Sequence, residues 1–384
     1  MKHFLLLCLL ACAVGAVEAQ PATTDIYHNG WIDLNKNGRR DIYEDSRQPV
    51  ERRVENLLQQ MTLDEKTAQM ATLYGSGRVL KDALPTDAWK KEVWKDGIGN
   101  IDEQHNGLGK FRSTYSYPYA RSVEARHAVQ RWFVEQTRLG IPVDFTNEGI
   151  RGLCHDRATS FPAQCGQGAS WNRQLIAQIA AVEAAEARAL GYTNIYSPIL
   201  DLAQDPRWGR VVECYGEDPY LVSELGREMI QGLQRGGVVS TPKHFGVYSI
   251  PVGGRDGDTR TDPKVAPREM HTLYLEPFRV AFEEAGAKGV MSSYNDYDGE
   301  PIQGSRYWLY DRLRKDLGFT GYVVSDSDAV EYLHMKHLTS PNMKESVRQS
   351  VEAGLNVRCT FRSPDSYILP LRELVREGAI SMET

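Results

Sequence analysis

Apolar runs rich in β-branched residues recur along this chain, and each ends abruptly in polar or charged residues. Gly237-Val238-Val239-Ser240-Thr241 gives way to Lys243-His244-Phe245, and Gly289-Val290-Met291-Ser292-Ser293 to Tyr294-Asn295. Gly321-Tyr322-Val323-Val324 gives way to Ser325-Asp326. The pattern predicts strands near residues 97–102, 141–146, 193–201, 237–245, 288–294, 321–325 and 355–359. Apolar positions at helical spacing predict helices near 125–139, 171–190, 218–235, 268–286, 306–317, 342–353 and 366–377. Strand then helix, repeated, means a parallel sheet with crossover helices. The expected fold is α/β, a TIM-type (β/α) barrel, with an eighth strand missed, distorted or absent.

Upstream, residues 51–71 show helical spacing at Val54, Leu57, Leu58 and Met61, then again at Ala68 and Met70. The break at Thr62-Leu63-Asp64 reads as a fresh helix N-cap. Before residue 47 the pattern changes. Met1-Lys2-His3 followed by apolar residues 4–14 and small residues up to Ala19 reads as a secretory signal over 1–19. Leu9-Leu10-Ala11-Cys12 imitates a lipoprotein box, but Cys12 comes too early and small apolar residues continue past it. Residues 20–46 form a polar leader, and 47–384 the barrel. Because the sequence stops at Ser381-Met382-Glu383-Thr384, just after a helix, a truncation before a C-terminal domain is expected.

Charge and cysteine content narrow the function classes. A net charge of −6 with a pI near 5.9 argues against nucleic acid or an anionic membrane as partner. The product is expected to be exported, periplasmic or extracellular, and off the membrane once the signal is cut. Cys154, Cys165, Cys214 and Cys359 lack CxxC spacing and are expected as buried thiols rather than a disulfide framework. The chain carries no Rossmann GxGxxG, P-loop or HExxH, and its nine His show no metal-ligand spacing. A metal-dependent hydrolase on the same architecture is therefore disfavoured.

The strand ends carry the candidate chemistry: Glu148, Asp201, Lys243, His244, Tyr294 and Asp326. Carboxylates and cationic donors around a sugar ring, with one carboxylate as nucleophile, fit glycosidic cleavage. A charged pair ending an apolar strand is costly unless it serves a pocket, which singles out Lys243-His244. Asp201 reads more simply as a helix cap or local partner, since Asp205 and Arg207 lie close by.

Several of these residues sit in recognisable order. Asp205-Pro206-Arg207-Trp208-Gly209-Arg210, Tyr215-Gly216-Glu217-Asp218-Pro219, Lys243-His244-Phe245, Val290-Met291-Ser292-Ser293-Tyr294-Asn295 and Val323-Val324-Ser325-Asp326 closely resemble glycoside hydrolase family 3. The likeness runs from about residue 50 to the end of the chain. It implies a retaining exo-β-glycosidase, of β-xylosidase or β-glucosidase type, acting on β-linked oligosaccharides. On the family pattern Asp326 is the nucleophile, in preference to its neighbour Asp328. Arg210, Lys243, His244 and Tyr294 would line the sugar subsite, with Glu148 as sugar-binding carboxylate and Arg151 beside it. No cofactor is implied for catalysis.

Two departures from the pattern matter. Larger members take their general acid from a C-terminal second domain, which is expected to be missing here. Single-barrel hexosaminidases use an Asp-His pair on the loop after Lys-His-Phe, but residues 253–263 here contain no His. No acid is recognisable on that loop; were this chain fully active on oligosaccharides by itself, Asp256, Asp258 and Asp262 would be the first acid candidates. If none serves, the alternative is a barrel that binds sugar without turning over. Glu148 stands where family glucosidases usually carry Asp, which tilts the expectation toward a xyloside. Separately, Asp33, Asn35, Asn37, Asp41 and Glu44, with Gly38 at the sixth position, fit the calcium-loop template. A structural calcium ion is the metal to test there; the simpler reading is a turn-rich surface loop.

Overall fold

The computed structural model describes residues 25–75, 77–109, 112–249 and 262–384. The expected signal and the acid candidates Asp256 and Asp258 lie outside them. Seven parallel strands carry the architecture: β1 Thr72–Tyr74, β2 Asn100–Asp102, β3 Asp144–Glu148, β4 Asn194–Tyr196, β5 Val239–Ser240, β6 Gly289–Ser292 and β7 Tyr322–Ser325. The first five form one continuous parallel sheet in chain order, and β6 pairs with β7.

Single bridges join these pieces into a ring. Phe245 bridges to Ser292, Val357 to Val324, and Arg358 to Ala71, all parallel. Backbone bonds reinforce them: Phe245 N to Met291 O at 2.7 Å, Ser325 N to Val357 O at 2.9 Å, and Thr72 N to Arg358 O at 3.0 Å. The strand absent from the sequence reading is β1, three buried residues following a short helix. The expected strand at 355–359 survives only as bridges at Val357 and Arg358.

Other boundaries shift for identifiable reasons. The expected strand 193–201 stops at Tyr196, just before Pro198, which has no N–H to give a ladder. The run 237–245 shrinks to two residues ahead of Pro242, and 141–146 starts late, after Pro142. Helices Tyr119–Gln136, Arg173–Leu190, Pro219–Arg235, Met343–Ala353 and Asp365–Arg376 match expectation closely. The segments expected at 268–286 and 306–317 contain wide π turns, over Met270–Tyr274, Val280–Glu284 and Tyr307–Asp316. The break at Thr62 is a full capping box. Its hydroxyl accepts from Glu65 N at 3.2 Å, while the Glu65 carboxylate accepts from Thr62 N at 2.8 Å.

The 25–46 segment is tied to the barrel's outside. Lys36 Nζ donates to Val134 O and Thr137 O at 2.7 and 2.6 Å, and the Tyr43 hydroxyl to Leu139 O at 3.2 Å. The described cysteines are all unpaired. Cys214 and Cys359 are buried as expected, but Cys165 is exposed and Cys154 half-buried. No described helix is long and apolar enough to cross a membrane.

One buried carboxyl stands out in the helical layer. Glu183 is fully buried, and neither of its oxygens has a hydrogen-bond partner among the described residues. It packs against Gly149, where any Cβ would collide with the Glu183 carboxyl. Burial, then the charge of Glu186, push its pKa well above the ordinary carboxylate range. Below pH about 4.5 the unfolded chain also holds this proton, so the group costs no stability. As pH rises, the unfolded chain loses the proton first and stability declines until the folded group ionises. Glu183→Gln should flatten this decline. Melting wild type and variant from pH 4 to 8 checks it; parallel slopes would refute the assignment.

Candidate active site

The C-terminal ends of the strands form a polar rim, where parallel-barrel backbones deliver side chains to one opening. Glu148 ends β3, and Lys243 lies just past β5. Lys243 Nζ donates to Glu148 Oε1 at 2.7 Å and Oε2 at 2.5 Å. The ammonium is only 2% exposed, so this bidentate partner supplies what lost water no longer can. The Glu148 side chain, at 29% exposure, opens to the rim.

His244 is held from behind. Its Nδ1 lies 2.7 Å from Asp201 Oδ2, and its backbone N donates to the same oxygen at 3.3 Å. With the Nδ1 proton facing Asp201, Nε2 is turned toward Asp326 Oδ2, 3.4 Å away. Burial pushes the Asp201 carboxyl up to about 8, against the pull of the Arg210 charge and the His244 amide. The simple reading of Asp201 therefore needs correction. Asp205 and Arg207 pair with each other at 2.5–3.1 Å on the surface, and Asp201 orients His244 instead. The sequence signal was its place ending an apolar run parallel to the one that ends in Lys243-His244.

Asp326 has two differently treated oxygens. Oδ1 accepts from the Tyr294 hydroxyl at 2.7 Å and from Ser327 N at 2.7 Å. Oδ2 accepts no hydrogen bond from the described residues and faces His244 Nε2 and Arg210 Nη1, the latter at 3.8 Å. Arg210 is clamped by Glu213 through Nε at 2.9 Å and Nη2 at 2.6 Å. Burial disfavours the Arg210 charge, but Glu213 and Asp326 more than offset it, and its pKa rises. Asp328 is committed elsewhere: its carboxylate accepts from the Thr360 hydroxyl at 2.5 Å and Phe361 N at 3.4 Å.

Six of the seven sequence candidates thus form two linked groups: Glu148 with Lys243, and His244, Arg210 and Tyr294 around Asp326. Arg151 stands apart. Its side chain is exposed, and it lines with Glu148, Cys154 and Leu108 a cavity of about 260 Å³. Asp262 accepts from Lys264 Nζ at 2.7 Å. The sequence reading missed Asp102 and Glu103, which end β2 beside Glu148; the signal was their position at a strand end.

The calcium-template loop offers only oxygen donors, as calcium needs, but they are turned to the loop's own amides. Asp33 accepts from Asn37 N at 3.1 Å and Gly38 N at 2.8 Å. Glu44 accepts from Leu34 N at 2.7 Å and Asp41 N at 2.8 Å, and Asn35 and Asn37 donate to Asp41. Among the described residues, no cluster of three or more His, Cys, Asp or Glu is arranged to hold a metal.

Comparison with known proteins identifies the family. Residues 62–384 match the glycosyl hydrolase family 3 N terminal domain. Over 234 residues, 57% of this chain and 32% of the relative, the sequence is 38% identical to a beta-xylosidase of Formosa agariphila. Over 335 residues, 86% of this chain and 40% of the relative, it is 28% identical to the periplasmic beta-glucosidase of Salmonella typhimurium. A β-glucosidase structure from Erythrobacter marinus superposes with a TM-score of 0.77 at 30% identity, covering 86% of this chain and 42% of that one. The chain spans less than half the length of these relatives. With its parallel ring of strands and charged rim, the chain belongs to glycosyl hydrolase family 3, whose N terminal domain it carries.

Proposed function

We propose that this chain supplies the nucleophile and sugar subsite of a retaining exo-β-glycosidase acting on β-linked oligosaccharides. The treatment of Asp326 carries the reading. One oxygen is fixed by Tyr294 and Ser327, and the other is presented, buried, beside His244 and Arg210. A displacing carboxylate needs that arrangement. Oδ2 attacks the anomeric carbon as the bond to the leaving oxygen breaks, and that oxygen takes a proton from a general acid. Water, giving its proton to the same group, then releases the sugar with its original configuration and restores the carboxylate. Lys243, Glu148 and His244 hold ring hydroxyls through charge-assisted bonds that tighten as the ring gains positive charge.

The relatives named above include both a beta-xylosidase and a beta-glucosidase. Glu148, one methylene longer than Asp, tilts the proposal toward a xyloside, a difference worth about 1–3 kcal/mol. The apolar segment before Ala19 supports export, and the Salmonella relative is named periplasmic.

An activated fluorosugar tests the nucleophile without demanding a general acid. A 2,4-dinitrophenyl 2-deoxy-2-fluoro-β-xyloside should add one fluoroxylosyl group, which peptide mass mapping places on Asp326. Asp326→Asn should cut this labelling by about 10⁴-fold or more, while Asp328→Asn leaves it. Label on Asp328 would overturn the assignment.

Asp201 acts through His244, so Asp201→Asn should slow labelling by roughly 10²-fold through misplacement. Wild-type labelling should also inflect near pH 8, as Asp201 gives up its proton, and the variant should lose that inflection. An identical pH profile in both proteins would argue for a structural role alone.

A calcium ion in the 33–44 loop is a separate proposal, supported by the sequence template. Calcium at about 100 times its Kd would add roughly 2.7 kcal/mol of stability. Melting with calcium and with chelator should then give different midpoints. Equal midpoints, with no metal by elemental analysis, would leave a self-capped turn.

A further inference from the structure

The rim sector around Glu148 holds more carboxyls than the sugar subsite accounts for. Asp102, the last residue of β2, pairs in register with Thr146 of β3 and accepts its hydroxyl at 2.7 Å. Glu103 follows, its N–H still bonded to Thr146 O at 3.0 Å, so it lies beside the end of β3 that carries Glu148. There the backbone turns left-handed, with φ at +53° for Glu103. A non-glycine residue pays for that conformation, and such strain collects at functional positions.

The side chain is fixed rather than loose. Glu103 Oε2 accepts from the Tyr74 hydroxyl at 2.9 Å and from Asn106 Nδ2 at 3.2 Å. Oε1 makes no hydrogen bond with the described residues, and the residue is only half-buried. Burial, then the charge of Glu148, raise its pKa, and Asp102 is raised by burial and by Glu103 itself. Among these acids Lys243 hydrogen-bonds Glu148, not Glu103. With both bonds arriving at Oε2, Oε1 is the atom of Glu103 left to meet a ligand.

Topology says which part of a sugar this carboxyl meets. Asp326 lies just past β7 and Glu148 at the end of β3, four positions apart around a ring of eight and so on opposite sides. If Asp326 meets the anomeric carbon, Glu148 addresses the far edge of the pyranose, and Glu103 stands next to it. We propose that Glu103 is a specificity-determining residue that walls this far edge, hydrogen-bonding the C4 hydroxyl through Oε1 and filling the space a C6 hydroxymethyl would need. The subsite then admits a pentopyranoside ahead of a hexopyranoside. This rests on the glycosidase reading above.

Paired fluorosugar traps test it on the whole chain. Labelling rates with the 2,4-dinitrophenyl 2-deoxy-2-fluoro β-xyloside and β-glucoside are compared in wild type, Glu103→Gly, Glu103→Asn and Glu103→Gln. Glycine and asparagine both accept the left-handed backbone, so either variant can report if the other fails to fold. Both shorten or remove the wall and should raise the glucoside-to-xyloside ratio by about 10-fold or more. Gln keeps a hydrogen-bonding tip and the volume, and should hold the wild-type ratio within about threefold. Asp326 labelled as before, with an unchanged ratio in the Gly and Asn variants, would overturn the inference and spare the glycosidase reading. No labelling of wild type by either sugar would overturn both.

Discussion

The Lys243–Glu148 pair is the constraint on which the site depends. An ammonium removed almost wholly from water survives only with close anionic partners, and Glu148 provides both of its oxygens. The pair spans from the end of β3 to Lys243, three residues past β5, and so fixes the relative height of two non-adjacent strand ends. His244 follows directly, which ties the height of the imidazole to the same anchor. Asp201 then sets the ring's orientation by accepting from both its backbone and its Nδ1 side. Positioning of the imidazole opposite Asp326 is thus a consequence of charge burial one residue earlier.

A second arrangement operates where the ring closes. Regular pairing fails on both sides of residues 357–358, and single bridges remain. Arg358, fully buried, compensates by donating to Glu331 and to the Ser366 hydroxyl at 2.8 Å. Thr360 donates to both Glu331 and Asp328, so the loop after the last bridge is held by the carboxylate two residues beyond Asp326. Two acids of similar sequence context therefore do different work. Asp326 faces the opening, and Asp328 fastens the wall behind it. The left-handed backbone of Asp328, φ +63°, separates the directions of the two side chains.

The rim is also electrostatically uneven. Around Asp326 the neighbours are Arg210, His244 and Tyr294, a donor-rich setting. Around Glu148 the neighbours are Asp102 and Glu103, and one ammonium serves all three acids. Burial and the neighbouring carboxylates raise the Asp102 and Glu103 carboxyls above the ordinary range. One barrel mouth thus sets a donor-rich surrounding around Asp326 on one side against a cluster of carboxyls around Glu148 on the other.

The sequence by itself determined the strand-and-helix alternation, the helix spans and the residues delivered at the strand ends. Those features depend on local periodicity and on where an apolar run stops, and both are written in consecutive residues. The Thr62 N-cap was legible for the same reason, while its reciprocal bond with Glu65 emerged only in the structure. Tertiary structure decided the rest. β1 is too short for its alternation to register, and the strand at 355–359 is a strand only through its neighbours' carbonyls. Asp201 was assigned to near partners in sequence, but its partner lies 43 residues away across a ring of parallel strands. Glu103 acquires its character only beside Glu148 and Tyr74. Partners set by strand register, and charge states set by burial, depend on distances in space that sequence spacing does not record.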